Sequence, residues 1–286
     1  MNTLAGKTAL ITGASRGIGA CLVQALVAAG ATVVGVARSQ DSLDQLCADL
    51  KAQGSTVIGI AFDLSRVDEL SLLVEQVQRR VGAVDILVNN AAIEKYASFS
   101  QYSSSDIQSI LATNLLAAME LGRLLLPDML RRRQGHIVNI ASLAGKKGAP
   151  YNSIYSASKA GLILWTDALR QELVGTGVNV SAICPGYVSQ AGMTVDTQVP
   201  IPPLAGKSTP AKVTAAVMRA VTQNQAELIV NQNSVTEYLT RLLFALGQIA
   251  PHWSDRVYRW LGVTHLNRMR VRQTLPNSLD TVERSP

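Results

Sequence analysis

From Thr8 to Asn231 the chain alternates short apolar runs with longer stretches of helical periodicity. The runs Thr8–Gly13, Ala31–Ala37, Thr56–Phe62, Asp85–Asn89, His136–Ala141, Asn179–Cys184 and Leu228–Asn231 have strand length and are mainly aliphatic or β-branched. Between them, the spacing predicts helices from the glycine turn to about Ala29, over Asp41–Ala52, Val67–Val81, Asp106–Arg133 and Ser153–Leu173, and again after Thr209. Gly30 reads as the stop of the first helix, and Thr209 as an N-cap with Pro210 in the first helical position. Uninterrupted apolar strands alternating with helices predict an α/β fold. Its core is a doubly wound parallel sheet of seven strands, with helices on both faces and ligands at the strands' carboxyl ends.

Two segments break the alternation. Residues 190–208 hold Pro200, Pro202 and Pro203 among apolar residues and read as a flap. The second is the tail, which divides the chain into a catalytic domain over 1–234 and a helical, basic extension over 235–286. In the extension, Val235, Tyr238, Leu239, Leu242, Leu246 and Ile249 recur at helical spacing, with Leu243 and Phe244 widening the stripe. Pro251 ends that helix, and a second short one, Trp253–Leu261, mixes Trp253, Tyr258 and Trp260 with Arg256 and Arg259. The remainder, through Arg268, Arg270 and Arg272, is basic. The plain reading is packing against the domain or a sister subunit. Covering the mouth of the site, or lying in a membrane interface on aromatic and arginine anchors, are the alternatives.

Composition narrows the classes. With 286 residues, 48% hydrophobic and 16% charged, the chain buries a full core. Cys21, Cys47 and Cys184 are odd in number and lack metal-ligand spacing. His136, His252 and His265 do not cluster, so no metal site is expected. Net charge is +6, but from Arg241 onward there are seven arginines and three acids. The body is therefore nearly neutral, which argues against a nucleic-acid surface. A strand beginning at Thr8 leaves no room for a secretory leader, and no apolar run is read as long enough to span a membrane. A cytoplasmic setting is expected, with peripheral membrane contact through the extension as the alternative.

Chemistry enters first at the turn Gly13-Ala14-Ser15-Arg16-Gly17-Ile18-Gly19, between a strand and a helix. Glycines there permit a tight turn, close approach of a pyrophosphate and close helix–strand packing, and the helix N-terminus offers N–H groups to phosphate. This is the setting of a Rossmann-type dinucleotide site. An acid at the end of the second strand would bind the ribose 2′-hydroxyl of NAD; the sequence there is Val36-Ala37-Arg38-Ser39. Arg38, joined by Arg16, suits a 2′-phosphate, so NADP(H) is expected over NAD(H). Asp63, followed by Leu64, is placed to accept from the adenine amino group or to cap the next helix. Asn89-Asn90-Ala91-Ala92 lets backbone approach the cofactor.

Tyr155 and Lys159 lie four apart, on one face of a helix. A phenol releases its proton only near pH ~10; an ammonium beside it lowers that value. The pair can therefore move a proton on and off an alcohol oxygen. Together with Asn114, Ser142 and Pro185-Gly186, these elements resemble the short-chain dehydrogenase/reductase family over residues 4 to 232. The resemblance implies that Tyr155 is the general acid for ketone reduction and that Lys159 tunes it and holds the nicotinamide ribose. It further implies that Ser142 binds the substrate oxygen and that Asn114 holds a water in a proton relay; otherwise Asn114 is a buried amide satisfying backbone. Gly13, Ser15, Arg16, Gly17, Ile18, Gly19, Arg38, Ser39, Asp63, Leu64, Asn90, Ala91, Tyr155, Lys159, Pro185, Gly186 and Val188 would line the cofactor.

Two positions depart from the family pattern: Ala92 where glycine is usual, and Gln190 where threonine is usual, with Gln190 or Ser189 as substitutes. Ile93–Phe99, Leu143–Ser153 and the flap are read as the substrate wall. Ile93, Phe99, Leu143, Val195, Val199, Ile201 and Leu204 suit a hydrophobic ketone or alcohol, acyl or lipid-like; Lys146 and Lys147 are either solvated or a lure for an acidic substrate. The resemblance implies a homodimer or homotetramer, and a cofactor-binding protein without chemistry is the reading from another class.

Overall fold

The computed structural model describes residues 3–51, 57–202 and 206–274. Ala52, Thr56, Pro203, Leu204 and the tail beyond 274 lie outside the described residues. The seven strands are β1 (Thr8–Thr12), β2 (Thr32–Ala37), β3 (Val57–Ala61), β4 (Ile86–Asn89), β5 (Gly135–Ile140), β6 (Val178–Pro185) and β9 (Glu227–Val230), with two short strands, β7 (Tyr187–Val188) and β8 (Lys207–Ser208), between the last two. They form one parallel sheet in the order β3-β2-β1-β4-β5-β6-β9. The order reverses at β1, so the carboxyl ends of β1 and β4 open a crevice between them.

Helices cover both faces. On one, α1 (Gly17–Ala28), α2 (Gln40–Lys51) and α8 (Pro210–Gln223) bury Leu22, Leu26, Leu43, Val213 and Val217 against Ile11, Val33 and Val138. On the other, α3 (Leu70–Val81), α5 (Ala117–Arg132) and α6 (Ser153–Glu172) bury Leu73, Val77, Leu121, Leu125 and Leu169 against Leu10, Val34 and Leu87. Gly30, at φ +91, closes α1, and its N–H donates to the Val27 carbonyl. The Thr209 hydroxyl accepts from the Lys212 N–H at 3.3 Å, with Pro210 opening α8.

The long helix differs from its expected form. It starts at Ser104, because Ser103 and Asp106 cap it reciprocally: the Ser103 hydroxyl accepts from the Asp106 N–H, and the Asp106 carboxylate from the Ser103 N–H. It then runs as α4 (Ser104–Leu111), a π-helical turn over Ala112–Leu116, and α5. This 29-residue helix, Ser104–Arg132, is long and apolar enough to cross a membrane by length and composition, contrary to the expectation of none. Here its Leu121, Leu125 and Met129 are buried on the sheet.

Beyond β6, β7 (Tyr187–Val188) pairs with β8 (Lys207–Ser208), and α7 (Met193–Asp196) sits in the flap between them. The extension folds as α9 (Ser234–Ile249), α10 (Pro251–Trp260) and α11 (Val263–Thr274). The third helix was not expected. Its inward face, Val263, Asn267, Arg270 and Val271, recurs at helical spacing but is half polar, so it leaves no apolar stripe.

Candidate active site

A cavity of about 570 Å³ opens at the carboxyl ends of the strands. Sixteen predicted residues line it: Gly13, Ser15, Arg16, Gly17, Ile18, Arg38, Asp63, Leu64, Asn90, Ala91, Ser142, Tyr155, Lys159, Pro185, Gly186 and Val188. The glycine turn packs closely on the loop after β4. Gly13 lies at φ +66, and a Cβ there would fall 2.8 Å from the Ala91 Cα. The Asn90 amide donates to the Thr12 and Gly13 carbonyls, and the Thr12 hydroxyl accepts from the Asn90 and Ala91 N–H groups, all near 3 Å. β1, the turn and β4 are thereby held as one cradle, and the first N–H groups of α1 have no intrahelical acceptor. Asp63 accepts from the Ser65 N–H and hydroxyl, which hold its carboxyl below the usual range. These residues fit a dinucleotide.

Three members of the predicted set, Gly19, Ser39 and Asn114, are off the wall, and a fourth, Arg16, is on it but already paired. Gly19 is not on the cavity wall; a Cβ there would fall 1.9 Å from the Gly13 carbonyl oxygen, so it serves helix–turn packing. Ser39 bonds Ser42 and its N–H at the start of α2. Arg16 is paired across the turn with Asp196 of the flap at 2.8 Å. Asn114 sits buried in the π-helical turn behind the cavity. Its Oδ1 accepts from the Ile93 N–H at 2.8 Å, and its Nδ2 donates to the Ile93 carbonyl and the Ser158 hydroxyl. Asn114 thus clamps the loop after β4 to α6.

Tyr155, Ser142 and Lys159 converge from α6 and the end of β5. The Ser142 hydroxyl neighbours the Tyr155 phenol, favouring its ionised form, and accepts from the Ala144 N–H at 3.1 Å. The Lys159 Nζ donates to the Ile140 carbonyl at 2.7 Å and lies 5.6 Å from the Tyr155 ring. The expected lowering of the phenol does not appear. Burial raises Tyr155 well above its ordinary value, with Glu94 and Tyr187 adding to the rise and Ser142 opposing it. Lys159 is 2% exposed, and burial lowers it to about 8, against the charge of Glu94 and Cys184. Lys159 is anchored to backbone rather than to the phenol, so desolvation dominates both groups.

The short chain dehydrogenase family model matches residues 7–199. The chain belongs to the short-chain dehydrogenase family. It is 58% identical to "Ketoacyl reductase HetN" of Nostoc sp. over 283 residues, 99% of each chain. It is 32% identical to "3-oxoacyl-[acyl-carrier-protein] reductase" of Synechocystis sp., covering 81% of this chain and 96% of that one. A solved metagenomic short-chain oxidoreductase in complex with NADP superposes with a TM-score of 0.71 at 31% identity, over 81% of this chain and 99% of that one.

Within this short-chain dehydrogenase framework, the segments expected to form the wall, Ile93–Phe99, Leu143–Ser153 and the flap, all reach it, and they bring a polar cluster that was not singled out. The side chains of Glu94, Tyr96 and Asn152 meet at the cavity: the Asn152 amide donates to the Glu94 carboxylate, and Tyr96 bonds it as well. Burial raises the Glu94 carboxyl; the two hydrogen bonds and the Arg270 and Lys159 charges oppose the rise. Asn152, of the type that usually caps, precedes α6 without capping it. Thr194 and Thr197 of the flap line the cavity, whereas Gln190 and Ser189 do not; the Ser189 hydroxyl is spent on the Ser208 carbonyl. Ile93 and Leu143 reach the wall as expected. Phe99 is 68% exposed, Val195 is exposed, Val199 is buried elsewhere, and Ile201 does not line the cavity. Lys146 and Lys147 are engaged with Glu227 and Asp255 and are not held out to a ligand.

The remaining wall comes from the extension: Thr240, Leu243 and Phe244 of α9, Tyr258 of α10, then Leu261 and Val263. The extension therefore packs on the domain and also roofs the site. Arg270 of α11 fastens it. Arg270 is fully buried, stacked 5.5 Å from the Tyr96 ring and 5.3 Å from the Tyr187 ring, and donates to the Val199 and Pro200 carbonyls of the flap and to the Asn267 Oδ1.

Proposed function

We propose that the chain is an NADP(H)-dependent reductase of a hydrophobic acyl-type ketone. The observation that carries this reading is the Tyr155 phenol: buried, beside Ser142 and Lys159, and on the wall of the cavity that the glycine turn also lines. A bound nicotinamide would supply the hydride. The Ser142 and Tyr155 hydroxyls together hold a carbonyl oxygen, and the charge that grows on it during reduction meets two donors already in place. Tyr155 then delivers its proton to that oxygen. Lys159 keeps a cation beneath the site, and Glu94 favours the protonated form of both groups.

The Nostoc and Synechocystis relatives, named as ketoacyl and 3-oxoacyl reductases, support an acyl ketone. The apolar roof supports a hydrophobic one. Arg38 on the wall at the end of β2, where an acid would favour NAD, supports NADP(H), as does the NADP complex of the structural relative. Exposed Leu116 and Leu164 on neighbouring helices support a homo-oligomer. The test is Tyr155→Phe with a 3-oxoacyl thioester. Proton transfer from a positioned group is worth ~10²–10⁴-fold, so turnover falls by that order while NADPH affinity stays. Equal loss of both overturns the assignment.

A further inference from the structure

The helix that roofs the cavity has a second face. At ~100° per residue, Thr240, Leu243 and Phe244 point one way, into the cavity wall. Val235, Tyr238, Leu239, Leu242, Leu246 and Ile249 fall within a sector about 100° wide on the other side. All six are 45–82% exposed, and no charged residue interrupts the sector. The next helix, joined at Ala250–Pro251 and packed through Gly247 against Ser254, presents Trp253 and Trp260, 45% and 78% exposed, with Arg256 between them on the same face. Arg241, Arg256 and Arg259 are exposed on these two helices.

A stripe of this size on a folded surface marks a partner. Its chemistry selects among partners. A second copy, docked through a two-fold axis, would set this patch against itself and bring like arginines together. An anionic lipid surface satisfies every part: aliphatic side chains enter the acyl boundary, tryptophans sit at headgroup level, and arginines meet lipid phosphates. We propose that the outer face of α9, with the Trp253–Arg256–Trp260 face of α10, docks this protein peripherally on anionic membranes. In that pose α9 stands between the lipid and the cavity. The inference rests on surface chemistry and is independent of the reaction at Tyr155.

The test is co-sedimentation of the full-length protein with phosphatidylcholine vesicles, plain or doped with phosphatidylglycerol. The protein is expected to pellet with doped vesicles at low ionic strength, and to stay in solution with plain vesicles or at high salt. Two exposed pairs of substitutions probe the contacts, Leu239→Asp with Ile249→Asp, and Arg256→Glu with Arg259→Glu. Each pair is expected to weaken vesicle binding at least ~10-fold, with the melting temperature and the reduction of a soluble ketone unchanged. A wild-type protein that ignores doped vesicles overturns the proposal, as does undiminished binding by both variants. Light scattering covers the remaining occupant. If Leu239→Asp with Ile249→Asp converts an oligomer to monomers and vesicle binding is unaffected, the surface is a contact between copies.

Discussion

Replacing Arg270 by methionine keeps most of the side chain's length and removes its charge and donors. In the folded protein the guanidinium is fully buried, donates to Pro200 at 3.1 Å, to Asn267 at 2.9 Å and more weakly to Val199 at 3.4 Å, and lies between two tyrosine rings. Hydrogen bonds from a charged group contribute ~1.5–3 kcal/mol each, and desolvated cation–π contacts ~2 kcal/mol. Against this stands the desolvation of a buried cation, several kcal/mol. Methionine escapes that penalty but leaves two flap carbonyls and the Asn267 Oδ1 without their donor, and removes a positive charge near Glu94. The balance resembles breaking a buried pair from one side, a loss of ~3–5 kcal/mol.

That loss falls on a local opening, the release of α11 and the flap, because the contacts join those two elements and not the sheet. Hydrogen exchange is the assay that resolves it. Amides of Tyr187–Val188, Lys207–Ser208 and α11 are expected to exchange ~10²–10³-fold faster, at 1.4 kcal/mol per tenfold, while those of β1, β4 and β5 are unchanged. Arg270→Lys keeps the charge without the planar fork and falls between the two. Unchanged exchange in the flap would refute the pin; accelerated exchange throughout the sheet would make Arg270 a core residue instead.

Two further outcomes are expected. Arg38→Asp removes a partner for a 2′-phosphate and supplies an acceptor for a 2′-hydroxyl, so NADPH affinity falls ~10–100-fold and preference moves toward NAD; equal weakening of both cofactors in a titration would count against Arg38. His136 is 5% exposed, bonds Ser181 at 2.9 Å, and is lowered by burial from 6.5 to about 4. The unfolded chain binds the proton first, so this contribution is complete above the unfolded value and is lost as pH falls from 6.5 toward 4. At 1.36 kcal/mol per unit it amounts to ~3 kcal/mol. Denaturant unfolding at neutral and acid pH should show that slope reduced by this amount in His136→Gln; parallel slopes refute it.

What the sequence made legible follows from locality. The sheet could be read because strands buried on both faces are continuous apolar runs, and Val33, Val34, Leu87 and Val138 are in fact fully buried. The cradle and the Tyr155/Lys159 pair could be read because each lies within a few consecutive residues. Glu94 fell inside the expected wall segment Ile93–Phe99, but its pairing could not be read: its partner Asn152 is 58 residues away and Arg270 lies on a helix with no apolar stripe. The cavity roof was legible only as one alternative for the extension. Leu243 and Phe244 were legible as a helix face, but which neighbour that face meets is decided by packing across the whole domain. Electrostatics was illegible for the same reason: spacing placed a lysine near a phenol, while depth of burial, which spacing does not encode, pushes the phenol up and the ammonium down.

That last point links the roof to the chemistry. Desolvation is the first cause of the shift at both Tyr155 and Lys159, upward for the phenol and down to about 8 for the ammonium. On a buried phenol it preserves the proton donor; on a buried lysine it weakens the charge. Glu94 acts on both in one direction, raising each, so it reinforces the donor at Tyr155 and restores part of the charge at Lys159. A site in which both groups hold their protons is set for delivery of a proton to a carbonyl oxygen rather than for its removal from an alcohol. The extension helps to produce that state, since α9 to α11 wall the cavity and Arg270 sits against Tyr96, which bonds Glu94. Residues more than eighty positions beyond Tyr155 therefore share with it the wall of one cavity, and closing that wall is the extension's part in the proposed reaction.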